Sequence, residues 1–428
     1  MREMKDSGIP WVGGIPKNWE IMPNKYLMHK VKKICPVYNG ENILSLTIQG
    51  VIIRDFDLGG KMPATFDGYQ IIYPGNLLMC LFDYDVTPRC IGLIKDKGLT
   101  SPAYSQFVMN QGADARYYYY YYLLLDFTKE LLHLAKNLRH SFTEEQLGKI
   151  KVPVPPIEAQ QRIADFLDSK CAKIDSVKKN VEAEIETLKE YKKSVITEAV
   201  TKGLNKNVEM KDSGIPWIGN IPKKWQIVPL KRLVLMPIKD GTHQTPTYTE
   251  SSNGIPFLSS GNVRTGKINW ENIKYITPEL HEKLSKEVKP QINDILLAKN
   301  GTTGVAAIVD KNYIFDVYVT LAVIRANPQY LIPRFLLYAI NSNISKYQFN
   351  QSLKGIGTPN LHLDEINKTR ILVPTLAEQC QIADFLDAKC ARIDSIVEDK
   401  QKQISTLDEY KKSLIYEYVT GKKEVPSA

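Results

Sequence analysis

Residues Met4 to Pro23 and Met210 to Pro229 agree at 15 of 20 positions, and Ile163 to Asp175 and Ile382 to Asp394 agree at 11 of 13. A chain that repeats two separate segments in the same order, with dissimilar sequence between them, uses one framework twice. The fold must therefore hold two copies of a scaffold, each carrying its own insert. The first lead-in segment contains Ser7-Gly8-Ile9-Pro10-Trp11 and Ile15-Pro16-Lys17-Asn18-Trp19, and its copy keeps both tryptophans as Trp217 and Trp225. Gly and Pro set turns there, and the indoles need a surface to bury against. The segment reads as a packing motif, not a catalytic one.

The other repeated segment opens a long helix from Ile157 to about Val200. Leu167, Ile174, Val181, Leu188 and Val195 recur every seven residues, and Ile163, Val177 and Tyr191 are assigned to a companion seam. Five such heptads call for a coiled-coil partner. The second copy supplies one. Leu386, Ile393, Leu407 and Leu414 keep the register with Lys400 interrupting it, and Ile382, Ile396 and Tyr410 take the companion seam. At about 1.5 Å per residue each helix spans roughly 60 Å. The tail Val419-Thr420-Gly421 matches Val200-Thr201, so joining the termini would restore the pattern. The expected fold is α+β. Two globular α/β domains are separated by two long antiparallel coiled-coil helices, in a circular pseudo-twofold repeat.

The inserts differ. In the first, strand-like runs such as Ile43 to Ile48 and Asn76 to Leu81 alternate with turns at Gly59-Gly60 and Pro74-Gly75, and a helical pattern follows Tyr104. Tyr117 to Tyr122 are six consecutive tyrosines. They suit either a base-stacking platform or, more simply, the start of a packed helix, because they lead into Leu123-Leu124-Leu125. The second insert carries Asp240-Gly-Thr-His-Gln-Thr-Pro246, Asp294-Ile-Leu-Leu-Ala-Lys-Asn-Gly-Thr-Thr-Gly304 and Lys354-Gly-Ile-Gly-Thr-Pro-Asn-Leu361.

A net charge of +9 permits a polyanionic partner and equally permits a well-solvated surface. The N-terminus lacks a signal-peptide pattern, and no apolar run reaches the roughly 18 residues of a membrane span. The six cysteines form no CxxC and the six histidines no metal-ligand pattern, which points to reduced core thiols and no bound metal. Gly261 to Lys267 has Walker A spacing, but Ile268 stands where Ser or Thr should ligate Mg²⁺. No other nucleotide, methyltransferase or nucleophile signature is present. Gly-rich loops bearing base-reading side chains are the better candidates for chemistry. These are Lys299, Asn300, Thr302 and Thr303, then His243 and Gln244 beside Asp240, Asn262 and Arg264, and Lys354 with Thr358. Arg54, Arg89, Ser101 and Tyr104 are the comparable positions in the first insert.

On these residues the chain resembles the specificity (S, HsdS) subunit of type I restriction-modification systems. The resemblance rests on Lys-Asp-Ser-Gly-Ile-Pro-Trp…Ile-Pro-x-x-Trp in both halves, and on Pro374, Leu376, Glu378, Gln379, Ile382, Ala383, Phe385, Leu386 and Asp387 at a helix start. The first copy departs from that start at Ile157, Glu158 and Ala159, while Gln160 and Ile163 onward match. The resemblance implies target-recognition domains at 1–156 and 202–375, each reading one half of a bipartite, asymmetric site on double-stranded DNA. It implies spacer helices at 157–201 and 376–423 that fix the gap. It also implies two docked modification (methyltransferase) subunits, and restriction (translocase and endonuclease) subunits beyond them. S-adenosylmethionine, ATP and Mg²⁺ would belong to those partners, with no cofactor in this chain and a cytoplasmic, prokaryotic setting. An enzyme with unrecognised motifs, or a coiled-coil scaffold whose inserts bind something other than DNA, are the competing readings.

Overall fold

The computed structural model describes residues 2–57, 63–135, 140–353 and 360–426. Gly59, Gly60, Lys354 and Thr358 lie outside the described residues. The chain divides into two compact units, Met1–Glu182 with Gln401–Ala428, and Ala183–Lys400. Four helices matter for function: α1 (Ala115–Thr128), α2 (Ile157–Lys202), α3 (Pro333–Asn341) and α4 (Leu376–Val419). The unit boundaries fall inside α2 and α4, so each unit contains part of both.

The central sheet of the first unit comprises β1 (Met28–Val31), β2 (Leu77–Met79), β3 (Ile91–Leu93) and β4 (Ser105–Met109). They lie in the order β1-β4-β2-β3, all antiparallel, with Phe107 opposite Leu77 and Leu78 opposite Gly92. The second unit has β5 (Lys239–Asp240), β6 (Ile295–Ala298), β7 (Ala306–Ile308) and β8 (Leu321–Ile324). Their order, β5-β8-β6-β7, is the same path, again antiparallel. The inserts thus share a framework that their sequences conceal. Strand pairing specifies only an alternation of faces, which many sequences satisfy.

Each lead-in segment buries its second tryptophan, while Trp11 is half-buried and Trp217 is 43% exposed, so the expected burial of both indoles holds for one of each pair. Trp19 is fully buried, edge-on to Tyr117, and shares a core with Leu167, Ile415 and Val419. Trp225 is buried with Ile196, Val200 and Leu386 in the second unit. Gly203 closes α2 at φ +73°, and a Cβ there would sit 3.1 Å from the Trp225 ring. Gly421 does the same after α4 at φ +69°, where a Cβ would strike Pro16 and Trp19. Only glycine combines that backbone with that contact. The ends of α2 and α4 therefore meet the two lead-in segments in equivalent ways, as a circular repeat demands.

α1 explains the tyrosine run. Asp114 caps it by accepting from the amides of Arg116 and Tyr117. Tyr117, Tyr118, Tyr120, Tyr121 and Tyr122 are buried. The hydroxyls of Tyr117 and Tyr118 donate to the carbonyls of Val419 and Pro153, and that of Tyr120 to Asp168. Burial holds these phenols well above their ordinary range, so they remain donors. The run is packed helix and offers no stacking platform.

In both units α2 and α4 run antiparallel. In the first unit Asp175 pairs with Lys411 at 2.6 Å and Lys178 with Asp408 at 2.8 Å. In the second, Lys192 pairs with Asp394 at 2.7 Å and Glu184 with Lys400. Ile163, Leu167, Ile174, Val181, Ile382, Leu386, Ile393 and Leu414 are buried, while Leu188, Val195 and Leu407 are half-buried. The companion seam needs correction. Val177 and Ile396 are 44% and 38% exposed, and Tyr191 and Tyr410 are exposed as well. The true companion positions fall four residues after each leading one: Cys171, Lys178, Ile185, Lys192 and Ala199. Cys171, Ile185 and Ala199 are buried there, while the lysines lay their stems along the seam and carry their ammonium groups out to aspartates.

Candidate nucleic-acid interface

The loop after β6 grows from a strand whose four residues are all buried, so it starts from a rigid base. Gly301 and Gly304 turn it, both at positive φ, and a Cβ on Gly304 would press on Phe349 at 3.0 Å. Lys299 does not project from this loop. It is 6% exposed and its ammonium is bound to the carboxylate of Asp240 on β5. A buried, neutralised lysine orders the loop but has no free charge for phosphate or base.

His243 shares the same carboxylate at 3.4 Å, with its ring largely in solvent. Asn300 has its Oδ1 buried without a hydrogen-bond partner among the described residues. Lys299, Asn300, His243 and His362 line one groove of about 500 Å³. Gln244 is exposed beside it. Thr302 is exposed, with its hydroxyl 3.4 Å from the Ser260 carbonyl, and Thr303 is half-buried.

The residues with Walker A spacing form a β-hairpin, Val263–Arg264 against Lys267–Ile268, turned at Gly266 with φ +81°. A phosphate-cradling loop runs from a strand into a helix, which this stretch does not. Asn262 is spent locally: its Oδ1 accepts from the Ser259 amide and hydroxyl, and its Nδ2 donates to the Asn269 carbonyl. It caps a turn, and it lines the same groove as Arg264. Arg264 is exposed, with one nitrogen held by the carbonyls of Gly261 and Val263. It lines a second groove of about 470 Å³ with Tyr248, Lys274 and Tyr318.

Lys274 Nζ sits 4.4 Å from the Tyr248 ring centre. This cation–aromatic wall combines charge for a phosphate with a flat face for a base or sugar. Tyr248, Lys274 and Tyr318 were not legible as candidates. The available signal was a lysine and a tyrosine, each near a strand end, that pairing brings side by side.

In the first unit the candidates scatter. Arg89 is pinned on α1, its side chain 12% exposed, with Nε 3.8 Å from Asp126 and its guanidinium over the Phe127 ring. These contacts brace it against the helix. Tyr104 stacks on Phe82 at 6.1 Å, and burial raises its phenol pKa. Its carbonyl and that of Ser101 both accept from Gln70 Nε2, so these two loop positions are fixed together. Arg54 is half-buried, and its amide donates to the Ile43 carbonyl.

Among the described residues no cluster of His, Cys, Asp and Glu is arranged to hold a metal ion. Among them, too, no helix is long and apolar enough to cross a membrane.

Comparison with known proteins finds relatives in both sequence and fold. The MjaVIII type I restriction enzyme specificity subunit of Methanocaldococcus jannaschii is 28% identical over 282 residues, covering 64% of this chain and 63% of that one. The EcoBI type I restriction enzyme specificity subunit of Escherichia coli is 25% identical over 282 residues, covering 63% and 58%. The match spans about three fifths of the length of these relatives. By fold, the chain resembles one from a study of complex assembly and conformational transition of the type I R-M system, with TM-score 0.69, 14% identity and coverage of 95% and 98%. It also resembles the HsdS subunit from Thermoanaerobacter tengcongensis, with TM-score 0.50, 15% identity and coverage of 96% and 98%. The model of the type I restriction modification DNA specificity domain matches residues 93–187 and 222–406, well over half of the chain, and the chain belongs to that family.

Proposed function

We propose that this chain is the non-catalytic DNA-specificity subunit of a type I restriction-modification complex, acting in the cytoplasm. Each insert, 1–156 and 202–375, reads one half of a bipartite asymmetric site in double-stranded DNA, and the helical segments 157–201 and 376–423 set the gap. The observation that carries this reading is one framework used twice with different loops on it. The sheets follow the same path, yet the loop after β6 is a Gly/Asn/Thr turn clamped by Lys299, whereas the corresponding stretch after β2 is built on Phe82, Tyr104 and the pinned Arg89. Central sheets of one strand order with unlike surfaces suit two unlike half-sites. Phosphate contacts would position each domain and base-edge contacts would specify sequence.

Two modification subunits would dock on the framework and carry S-adenosylmethionine. Restriction subunits would add ATP- and Mg²⁺-dependent cleavage. Exposed apolar residues support a doubled partner: Val177 and Ile396, and Tyr191 and Tyr410, are repeat counterparts 219 positions apart, and all four face solvent.

The test is methylation mapping by long-read sequencing, with the chain co-expressed with its modification subunit in a methylation-free host. One new adenine-methylated motif, two half-sites with a fixed gap, is the expected result. A soluble complex that methylates no motif would leave the chain as a scaffold.

A further inference from the structure

At the point where each insert meets its long helix, the structure repeats a set of contacts. Gln160 is fully buried. Its Oε1 accepts from the Asp114 amide at 2.8 Å, and its Nε2 donates to the carbonyls of Gly112 and Pro155. Gln379, its counterpart 219 residues on, is equally buried. It accepts from the Ile332 amide at 2.8 Å and donates to the carbonyls of Tyr330 and Pro374. Asp114 and Ile332 are the N-cap residues of α1 and α3. Each glutamine therefore ties the start of an insert helix to the start of a long helix through both its N–H donors and its carbonyl oxygen, all bonded to backbone.

One turn further along stands a brace. Arg116 donates to Asp165 at 2.6 Å and to Asp168 at 3.2 Å, and Tyr120 donates to Asp168 at 2.7 Å. In the second unit Arg334 binds Asp384 at 2.7 Å and also Asp387, and Tyr338 donates to Asp387 at 2.7 Å. The arginines and tyrosines lie in inserts that otherwise look unrelated, yet both occur at the same spacing and meet the same aspartates.

The ion pairs are partly exposed, so their contribution to stability is small. Charged donors bridging two carboxylates one turn apart instead restrain direction: Arg334 spreads Nη1 and Nη2 over Asp387 and Asp384, and Arg116 reaches Asp165 and Asp168 from Nη1 alone. We infer that these two glutamine latches and Arg–Tyr–Asp braces are positioning devices, which hold each recognition domain at one angle on its own helix and so restrict the accepted gap between half-sites. This rests on the specificity-subunit reading above.

The experiment is the same methylation mapping with the full chain and its modification subunit, comparing wild type with Arg334→Ala/Tyr338→Phe and Arg116→Ala/Tyr120→Phe. The half-site bases are expected to stay unchanged in both variants. Discrimination against gaps one base pair longer or shorter is expected to fall about tenfold. Arg334→Lys, which keeps the charge and loses the fork, is expected to relax the gap as Arg334→Ala does. A single gap in the wild type that stays single in the variants, with only the level of methylation lowered, would overturn the inference alone. So would altered half-sites, or a lysine variant that retains the single gap. No bipartite motif in the wild type would overturn the proposed function and the inference with it.

Discussion

Lys192 places its ammonium 2.7 Å from both carboxylate oxygens of Asp394, at the edge of a seam where its stem lies beside the Ile185 and Ala199 positions. Its repeat counterpart Lys411 grips Asp175 in the same way. These lysines define the register of the two long helices, because each marks a companion-seam position that sequence pattern alone assigns to the solvent face. The bridges are largely exposed, so Lys192→Ala and Lys411→Ala should each cost under about 1 kcal/mol, by similar amounts. Chemical denaturation of the two variants measures this. Unequal losses would mean that the two halves of the seam are not equivalent.

Register has a sharper consequence. Leu167→Ala and Leu386→Ala remove fully buried side chains, and each should cost about 2–5 kcal/mol. Val177→Ala and Ile396→Ala touch exposed positions and should cost no more than about 0.5 kcal/mol. Denaturation midpoints that grouped Val177 with Leu167 would restore the seam placed three residues after the leading one.

That seam shows where sequence reading reached and where it stopped. The leading heptad is plain because leucine, isoleucine and valine recur in it, with Lys400 the one break. Its companion was misplaced because Lys178 and Lys192 look like surface residues, while Val177 and Tyr191 look like core. The decision depends on antiparallel pairing, which one helix does not encode. The candidate loops depend on contacts that sequence does not display. Lys299 and Arg89 carry the right chemistry for DNA, but Asp240 and Asp126, distant in sequence, consume it. Tyr248 and Lys274 were invisible until strand pairing placed them together.

Exposed Tyr191 and Tyr410 are the expected contacts for a partner used twice. Tyr191→Ser and Tyr410→Ser should leave the melting temperature of the isolated chain unchanged within about a degree, since surface changes fall within roughly 0.5 kcal/mol. Each should weaken capture of one modification subunit. Mass measurement of the purified complex reads the result: the single variants should shift toward one bound subunit, and the double variant toward none. Unchanged two-subunit complexes in the double variant would place docking elsewhere.

The buried tyrosines of α1 set an alkaline limit on the first unit. Burial raises Tyr117, Tyr118, Tyr120, Tyr121 and Tyr122 above the ordinary phenol range. A raised folded-state pKa gives stability that is complete below the unfolded value near 10 and lost as pH rises beyond it. Each such phenol removes about 1.4 kcal/mol per pH unit above that point. Tyrosinate absorbance followed with circular dichroism should therefore show these rings ionising in one step with loss of structure. Gradual ionisation near pH 10 with the fold intact would mean the rings are open to solvent.

The two grooves of the second unit should respond differently to loss of charge. Arg264 and Lys274 are exposed cations on one wall. Arg264→Ala and Lys274→Ala should each weaken DNA binding by the assembled complex across all sequences, and each should lower the slope of log affinity against log salt by about 1. Lys299 holds no free charge, so Lys299→Ala should leave that slope unchanged. It strands the buried carboxylate of Asp240, which costs on the order of 1–3 kcal/mol or more and lets the Asn300 loop lose its position. The expected outcome is relaxed discrimination at the half-site proposed for residues 202–375, with the other half-site intact. Salt titrations of affinity on cognate and mismatched duplexes separate the cases: a slope that drops with Lys299→Ala would show that its ammonium reaches phosphate after all.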